Sequence, residues 1–549
     1  MTLNQYLEAI ALSVLGLRSA PSPENAEKML LVNDFKNVVR QRVVEYSTWY
    51  AGDSDALYNL YNVNNMIEFP TEPYYWKNRR AYFWSASAQD DEYKRTHCGF
   101  ARDMIDTSVL VCGEPIIRIR EGSGPQDIGG IPANVVLAKV LEDNQFFSLR
   151  RRKQMPMTLA QGWGGWKITW NVNVYGKEPV LHYYTAENVR VYRRANRLLG
   201  MTFLDWYEDG TKKYLVAETR VNSPAGCSMR TDCFLADGEK NIMPIDKKDC
   251  PFVGNGDWKD MPCLFAAPCS YYDDTLHGYE GRSVLEGRLD MLDDLDQSFS
   301  QAANTDRRAA PIETFDVDFA DRDAKTGEPK MPKTFERKFL QVKGKVNAYG
   351  EKDTSKPIEV TQPQLTTEIF DNHILALERT IVNGHLSPAT LGLDIDKKDR
   401  AKDDSKRDIS VTLFTRNHLV REDEKQIRNI VRQLMVAKEF LATGKVFHKP
   451  EDWDVEVSFD EFSDQSFEVK LEALSSVLVN SGISPEMYVK KVYGNTISDE
   501  ERKREVEWVE EQHKKQPEDD QMGGMPFGSE EGDGAVLGGS EPEPSGEAE

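Results

Sequence analysis

No apolar run in this 549-residue chain approaches the roughly 20 residues that a membrane-spanning helix needs, so a soluble protein is expected. The patch from Ile10 to Leu17 has no basic residue ahead of it and carries Glu8 at its edge, which makes a poor secretory signal. Histidine is scarce, eight residues in all. None stands in the His-Glu-x-x-His spacing that puts two imidazoles and a general base on one helix face, so zinc-peptidase chemistry has no support. A Gly-x-x-x-x-Gly-Lys-Ser/Thr loop is absent, and with it the usual phosphate cradle of an ATP-hydrolysing protein. The seven cysteines are an odd number without the two-residue spacing of a zinc knuckle or redox pair, and they read as reduced thiols.

Basic excess is missing as well. The net charge is −22, and residues 516–549 hold ten acidic side chains and no Lys or Arg, which leaves −12 for residues 1–515. Non-specific DNA binding draws its affinity from Lys and Arg displacing counterions, so an acidic body argues against a protein that grips DNA. It does not argue against one through which DNA passes. What the chain does have is 39% hydrophobic and 10% aromatic content, enough to bury the cores of about two to four folding units.

Residues 1 to about 120 read mainly as helix, with segments near 34–48 and 94–111; the second places Cys98, Ala101, Ile105, Ser108 and Cys112 on one face. After a Gly- and Pro-rich loop at 122–132, helix resumes to about residue 160 and gives way to strands, where Trp166, Ile168 and Trp170 alternate with Lys167 and Thr169. A hairpin is predicted from Met201–Tyr207 and Lys212–Thr219 around Asp209-Gly210, with 220–275 as an irregular extension. Ser283 to Ser300 is an expected helix with Leu285, Leu289, Leu292, Leu295 and Phe299 inward. Short β-prone runs fill 309–363, a short helix spans 366–382, and an unusually long one runs free of Gly and Pro to Gly444. A strand is expected at 454–459. Two helices then follow, one capped by Ser484-Pro485-Glu486 and one by the capping box Ser498 to Glu501. From Pro517 onward the composition cannot form a core, and a disordered acidic tail is expected.

Four constellations carry candidate chemistry. Residues 394–408 pack six acids and six bases into one loop between two helices; a catalytic loop would be apolar with few polar groups, so this one should face water or a charged partner. Glu286, Asp290, Asp293, Asp294 and Asp296 form an acidic run, of which Glu286, Asp290 and Asp293 are spaced to share a helix face, as a hard-metal site would need. No His or second acidic helix is evidently paired with them, so a solvated face is the better reading. Gly162-Trp163-Gly164-Gly165 suits a bulge or tight packing turn better than a phosphate cradle. Tyr74, Tyr75, Trp76, Arg79, Arg80, Tyr82, Phe83 and Trp84 could stack on single-stranded nucleic acid, but packing in a core or interface is the better reading.

In order along the chain, several strings resemble the portal proteins of tailed double-stranded-DNA bacteriophages, the large family of many long-tailed phages. They are Trp49-Tyr50-Ala51-Gly52-Asp53, Arg102 to Asp106 through Cys112-Gly113-Glu114, and His277 to Ser283 leading into Leu292-Asp293-Asp294-Leu295-Asp296. Ser387 to Asp394, Thr412 to Arg416 and Ser481 to Glu486 complete the series, which spans about residues 40–515. The resemblance implies an α+β portal fold assembling as a ring. Its parts would be a wing (1–278), a stem of two helices (279–308 and 364–384), a clip between them (309–363), a tunnel loop (385–408), a long wing helix with a returning strand (409–459) and a crown (460–515).

The resemblance further implies a non-enzymatic, cofactor-free and metal-free dodecamer at one capsid vertex, made in the host cytoplasm and resident in the virion. Double-stranded DNA would pass through it, and its partners would be the terminase large subunit, the head-tail connector, the major capsid protein and the scaffold. Lys397, Lys398, Arg400, Lys402, Lys406 and Arg407 would then face DNA, with the six neighbouring acids keeping contact transient. Glu286, Asp290, Asp293 and Asp294 would form an acidic ring in the stem. The loop is longer and more charged than the family leads one to expect. The alternative from another class is a metal-dependent hydrolase using the acidic residues of 286–296.

Overall fold

The structure, a computed structural model, describes residues 3–15, 29–30, 38–61, 83–86, 95–194, 197–223, 226–237, 241–253, 257–274, 280–308, 312–316, 338–342, 358–361, 367–393, 409–459, 484–493 and 499–515. Helix and sheet are mixed throughout, as an α+β protein requires. The chain divides into two compact units, Met1–Phe462 and Ser463–Glu549.

In the first unit, antiparallel pairing runs from Met29–Leu30 through Asn241–Ile245, Gly226–Asp237, Lys212–Ser223 and Arg197–Asp209 to Val189–Arg194, with Trp258–Met261 beside Gly226–Asp237. The region from 220 to 275 is therefore mostly regular sheet, not the irregular extension its Gly, Pro and Cys content suggests. Successive hairpins, with Ser223 opposite Gly226 and Asp237 opposite Asn241, supply the order that composition concealed. The predicted hairpin is present, but Asp209 pairs with Lys212 and the tight turn is Gly210-Thr211, one residue later than expected. Gly210 takes φ 60° there, a left-handed value that costs glycine little.

A smaller sheet places Trp163–Thr169 between Ala266–Ser270 and Val180–Thr185. The glycine cluster enters this strand, and its role is close packing. A Cβ on Gly164 would overlap the Tyr183 hydroxyl, and one on Gly162, at φ 98°, would sit 2.8 Å from the Gly281 carbonyl oxygen. The expected strand is present, and both of its faces are buried. Lys167 is only 4% exposed, with Nζ 3.3 Å from Asp205 and 3.1 Å from Glu218.

The long helix is Ser410–Thr443, 34 residues. It ends where Gly444, at φ 75°, donates its N–H to the Phe440 carbonyl, a left-handed C-terminal cap. Ile427, Ile430, Val431, Leu434 and Met435 pack with Trp166, Phe265 and Trp453 in one core. Gln433 pairs with both backbone groups of Ala266, and Arg428 and Arg432 donate to the carbonyls of Val455 and Trp453. Those bonds hold the strand Val455–Phe459, which pairs with Pro115–Ile119. A second core joins Trp49, Leu57, Met104, Ile105 and Leu159 to Leu292, Leu295, Ile381 and Val382.

The expected helix from Ser283 starts later, at Leu289, and runs to Arg308. Gly287 sits at φ 78° and interrupts the α-helical path, which leaves Glu286 ahead of the helix. Between this acidic helix and its companion, Thr367–Val382, lie three short strands: Ile312–Asp316 is parallel to Lys338–Val342 and antiparallel to Ile358–Thr361.

In the second unit, Pro485–Tyr493 and Asp499–Lys515 bury Val489 and Val509 together. Ser484 Oγ accepts the Met487 N–H at 3.2 Å, the expected N-cap. The capping Ser498 and the tail 516–549 lie outside the described residues.

Candidate functional site

The charged loop with Lys397, Lys398, Arg400, Lys402, Lys406 and Arg407 lies outside the described residues; its base does not. Ser387 and Thr390 precede it, and Thr412 follows it. The Ser387 N–H donates to Thr412 Oγ1 at 2.8 Å, the Thr412 N–H returns to Ser387 Oγ at 3.3 Å, and the Thr390 and Thr412 hydroxyls are 2.7 Å apart. Ser387 and Thr412 are buried. A reciprocal pair of this kind leaves neither backbone N–H without a partner, so the entry and exit of the loop are tied across a 25-residue separation.

Beneath this knot, Arg288 joins the start of the acidic helix to the end of its companion. Its Nε donates to Ile381 O at 2.8 Å and its Nη2 to Asn383 O at 3.4 Å, satisfying carbonyls that a helix C-terminus leaves open. His385 lies beside it, with Nε2 2.9 Å from Ser108 Oγ. Ser108 donates its own proton to Met104 O, so His385 carries its proton on Nε2 and offers Nδ1 to the Tyr272 hydroxyl, 3.4 Å away. Burial, with Arg288 adding to it, pushes the His385 pKa down to about 3, and the imidazole is neutral at physiological pH.

The proposed acidic ring does not emerge as one exposed face. Asp293 is buried and accepts the Trp84 N–H at 2.6 Å, the Ser85 N–H at 2.9 Å and the Ser85 hydroxyl at 2.6 Å. Burial outweighs these hydrogen bonds and raises its pKa above the usual aspartate value. Glu286 is 3.4 Å from Arg42, Asp290 is half-buried, and Asp294 alone of the four is exposed. Asp296, the fifth acid, is buried. It accepts the Cys98 N–H at 3.0 Å and lies 2.5 Å from His97 Nδ1. Asp293 and Asp296 thus strap residues 84–85 and 97–98 to the acidic helix, as Ser300 does for Thr96. The solvated-face reading fails for these two carboxylates because residues 84–85 and 97–98 pack over them. They do not converge as metal ligands either, and no cluster of three or more metal-binding side chains occurs among the described residues. Of the aromatic and basic run, Phe83 and Trp84 are described, and Phe83 packs against the Tyr61 ring at 5.1 Å; the remainder lies outside the described residues.

A polar centre that sequence reasoning missed sits where the long helix meets residues 146–161. Arg150 and Asp423 are each 1% exposed; the guanidinium Nε donates at 2.7 Å and Nη2 lies 2.6 Å from the same carboxylate. Tyr271 donates to Asp423 at 2.9 Å, Gln154 donates to Tyr271 at 3.1 Å, and Arg150 Nη1 reaches Gly113 O at 3.0 Å. Burial alone would lower the Arg150 pKa, but Asp423 outweighs it and the net shift is upward. Arg150–Gln154 is one turn of π-helix, whose wider spacing turns both Arg150 and Gln154 inward. A signal was present: Asp423 falls four residues from both Leu419 and Ile427, in phase with the buried stripe, where a lone acid demands a buried partner.

All seven cysteines are unbridged, and none of the described helices is long and apolar enough to cross a membrane. Compared with known proteins, the sequence matches no protein-family model and no curated protein.

Proposed function

We propose that the chain is a portal protein: one protomer of a dodecameric ring at a capsid vertex of a tailed double-stranded-DNA phage, through which the genome is packaged and later ejected. The packaging energy would come from a separate terminase ATPase, and the strands between the two stem helices would dock first the terminase and then the head-tail connector. The major capsid protein and scaffold would surround the ring in the virion.

One observation carries this reading. The companion helix Thr367–Val382 keeps Ile369 66% exposed and Ile374, Leu375 and Leu377 only half-buried, and full burial begins at Ile381. A helix with an apolar stripe needs a partner along its whole length, and the described residues of its own chain half-cover Ile374 and Leu377 and fully bury only Ile381 and Val382. Neighbouring copies in a ring would supply the rest. The tied base of the charged loop supports the same reading: a loop that DNA slides past must be anchored at both ends, and balanced charge lets phosphates touch without being held.

Native mass spectrometry and averaged electron micrographs test the proposal together. Rings of about twelve copies with a central channel are expected, and a monomer at every salt concentration would overturn it. Deleting residues 397–406 should leave rings intact and stop packaging; loss of the rings would refute the assignment of the loop.

A further inference from the structure

We propose that Cys233 and Cys250 form a dithiol site that a small-molecule disulfide, such as oxidised glutathione, closes to an intramolecular disulfide. The closed form staples residues 246–250 to the strand Gly226–Asp237.

The path of the chain brings the two thiols together. Cys233 stands between Val216 on one neighbouring strand and Ile245 on the other, and Ile245 is the last residue of its strand. A 3-10 turn over Lys247–Asp249 follows, closed by the Cys250 N–H, which donates to the Lys247 carbonyl at 3.3 Å. Cys250 thereby returns to the sheet only five residues beyond Ile245. Both cysteines enter one small core with Tyr214 and Val216, and their side chains are hydrogen-bonded to each other. Phe252 fastens the same segment, stacked on Tyr207 with ring centroids 4.6 Å apart. The other five cysteines are divided among three other cores, so place in the fold, and not spacing along the chain, singles out this pair.

The chemistry needs no further group. One protein thiol loses its proton, and the thiolate attacks a sulfur of the oxidant; the oxidant's S–S bond breaks, one small thiol leaves with a proton, and a mixed disulfide forms. The second protein thiolate attacks the protein sulfur of that mixed disulfide and expels the other small thiol. Two protein thiols are thus oxidised to one disulfide while the oxidant is reduced to two thiols. Burial, with Cys250 adding to it, pushes the Cys233 pKa up to about 12, so its thiolate is scarce at neutral pH and the pair is a slow lock, not a fast sensor. Cys250 is buried but flanked by exposed Lys248, Asp249 and Pro251, so opening a few residues admits the oxidant. This assignment is independent of the ring proposal.

The test incubates the reduced full-length chain in glutathione buffers of rising oxidised fraction until the thiol count is constant, then alkylates, digests without reductant and identifies peptides by mass spectrometry. The seven free thiols should fall by two, with one linked peptide pair, Cys233 to Cys250, that reduction releases. Cys233→Ala and Cys250→Ala should each lose no thiol in the same series. The closed form should unfold at a higher urea concentration than the reduced form and lose that gain on reduction; an unchanged midpoint would overturn the staple. If the native chain keeps all its thiols, the series is repeated in urea just below unfolding, where local opening admits the oxidant. A full thiol count there, or a linkage through any other cysteine, would overturn the proposal. The wild-type peptides decide the matter if the alanine variants fail to fold.

Discussion

The long helix Ser410–Thr443 and the shorter companion helix Thr367–Val382 both carry an apolar stripe, yet they end in opposite situations. Ile430, Val431, Leu434, Met435, Val436 and Ala437 of the long helix are fully buried, and its buried carboxylates both find partners, Asp423 in Arg150 and Glu439 in His448. The companion helix leaves Ile369 66% exposed and gains full cover only at Ile381 and Val382. One helix is finished by its own chain. The other presents apolar surface of the kind that marks an interaction site when it is contiguous, and under the ring proposal a second copy covers it.

The sharpest way to break the finished side is Asp423→Ala. It leaves the Arg150 guanidinium buried without its partner, and removing one member of a buried pair costs about 3–5 kcal/mol; urea unfolding of the purified chain should show the loss. Replacing both members together, as Arg150→Met with Asp423→Leu, should recover much of it, since the cost lies in the uncompensated charge. A smaller loss, about 1–3 kcal/mol from overpacking, is expected for Gly164→Ala, whose Cβ would overlap the Tyr183 hydroxyl. Adding Tyr183→Phe should restore nothing, because the ring carbons Cζ and Cε2 would still lie 2.6 and 2.8 Å from the new Cβ and Thr158 would lose its hydroxyl partner; a thermal melt of the double variant that recovers stability would show that the clash is confined to the hydroxyl.

The next effect depends on pH. His385 has a folded pKa of about 3 against an ordinary value of 6.5, so between these values the unfolded chain binds more protons and stability falls with acidification. The contribution is fully present above pH 6.5 and is about 1 kcal/mol lower near pH 5.5. In His385→Gln that part of the acid sensitivity should vanish, and equal slopes in both proteins would show that the imidazole does not titrate this way. The smallest effect on stability, under about 0.5 kcal/mol, is expected for Ile369→Ser in the isolated chain. If the companion helix packs against neighbours, the same variant should shift native mass spectra from rings toward monomers; unchanged rings would show that Ile369 lies outside the interface.

Local signals were legible wherever a rule acts over a few residues. The absence of Gly and Pro up to Gly444 indicated the long helix, Ser484 indicated the N-cap of the helix Pro485–Tyr493, and the glycines at 162–165 indicated close packing. The start of the acidic helix was misjudged because Leu285 and Leu289 continue its apolar spacing while Gly287 turns the backbone away from it. The site was less legible. Spacing marked Asp293 and Asp296 as charged helix positions, but their hydrogen-bond partners come from about 200 residues earlier in the chain. The charged loop could be located, and the hydroxyl knot that closes its base could not, since Ser387 and Thr412 look like ordinary polar residues until the two helices meet.

The sequence by itself determined where helices and turns stand and that the chain would build cores, because backbone propensity, capping and apolar periodicity are short-range properties. Tertiary structure alone decided what each charge does. Whether an aspartate faces water, holds a strap or neutralises a buried arginine depends on the dielectric and the donors around it, and those are set by segments hundreds of residues apart.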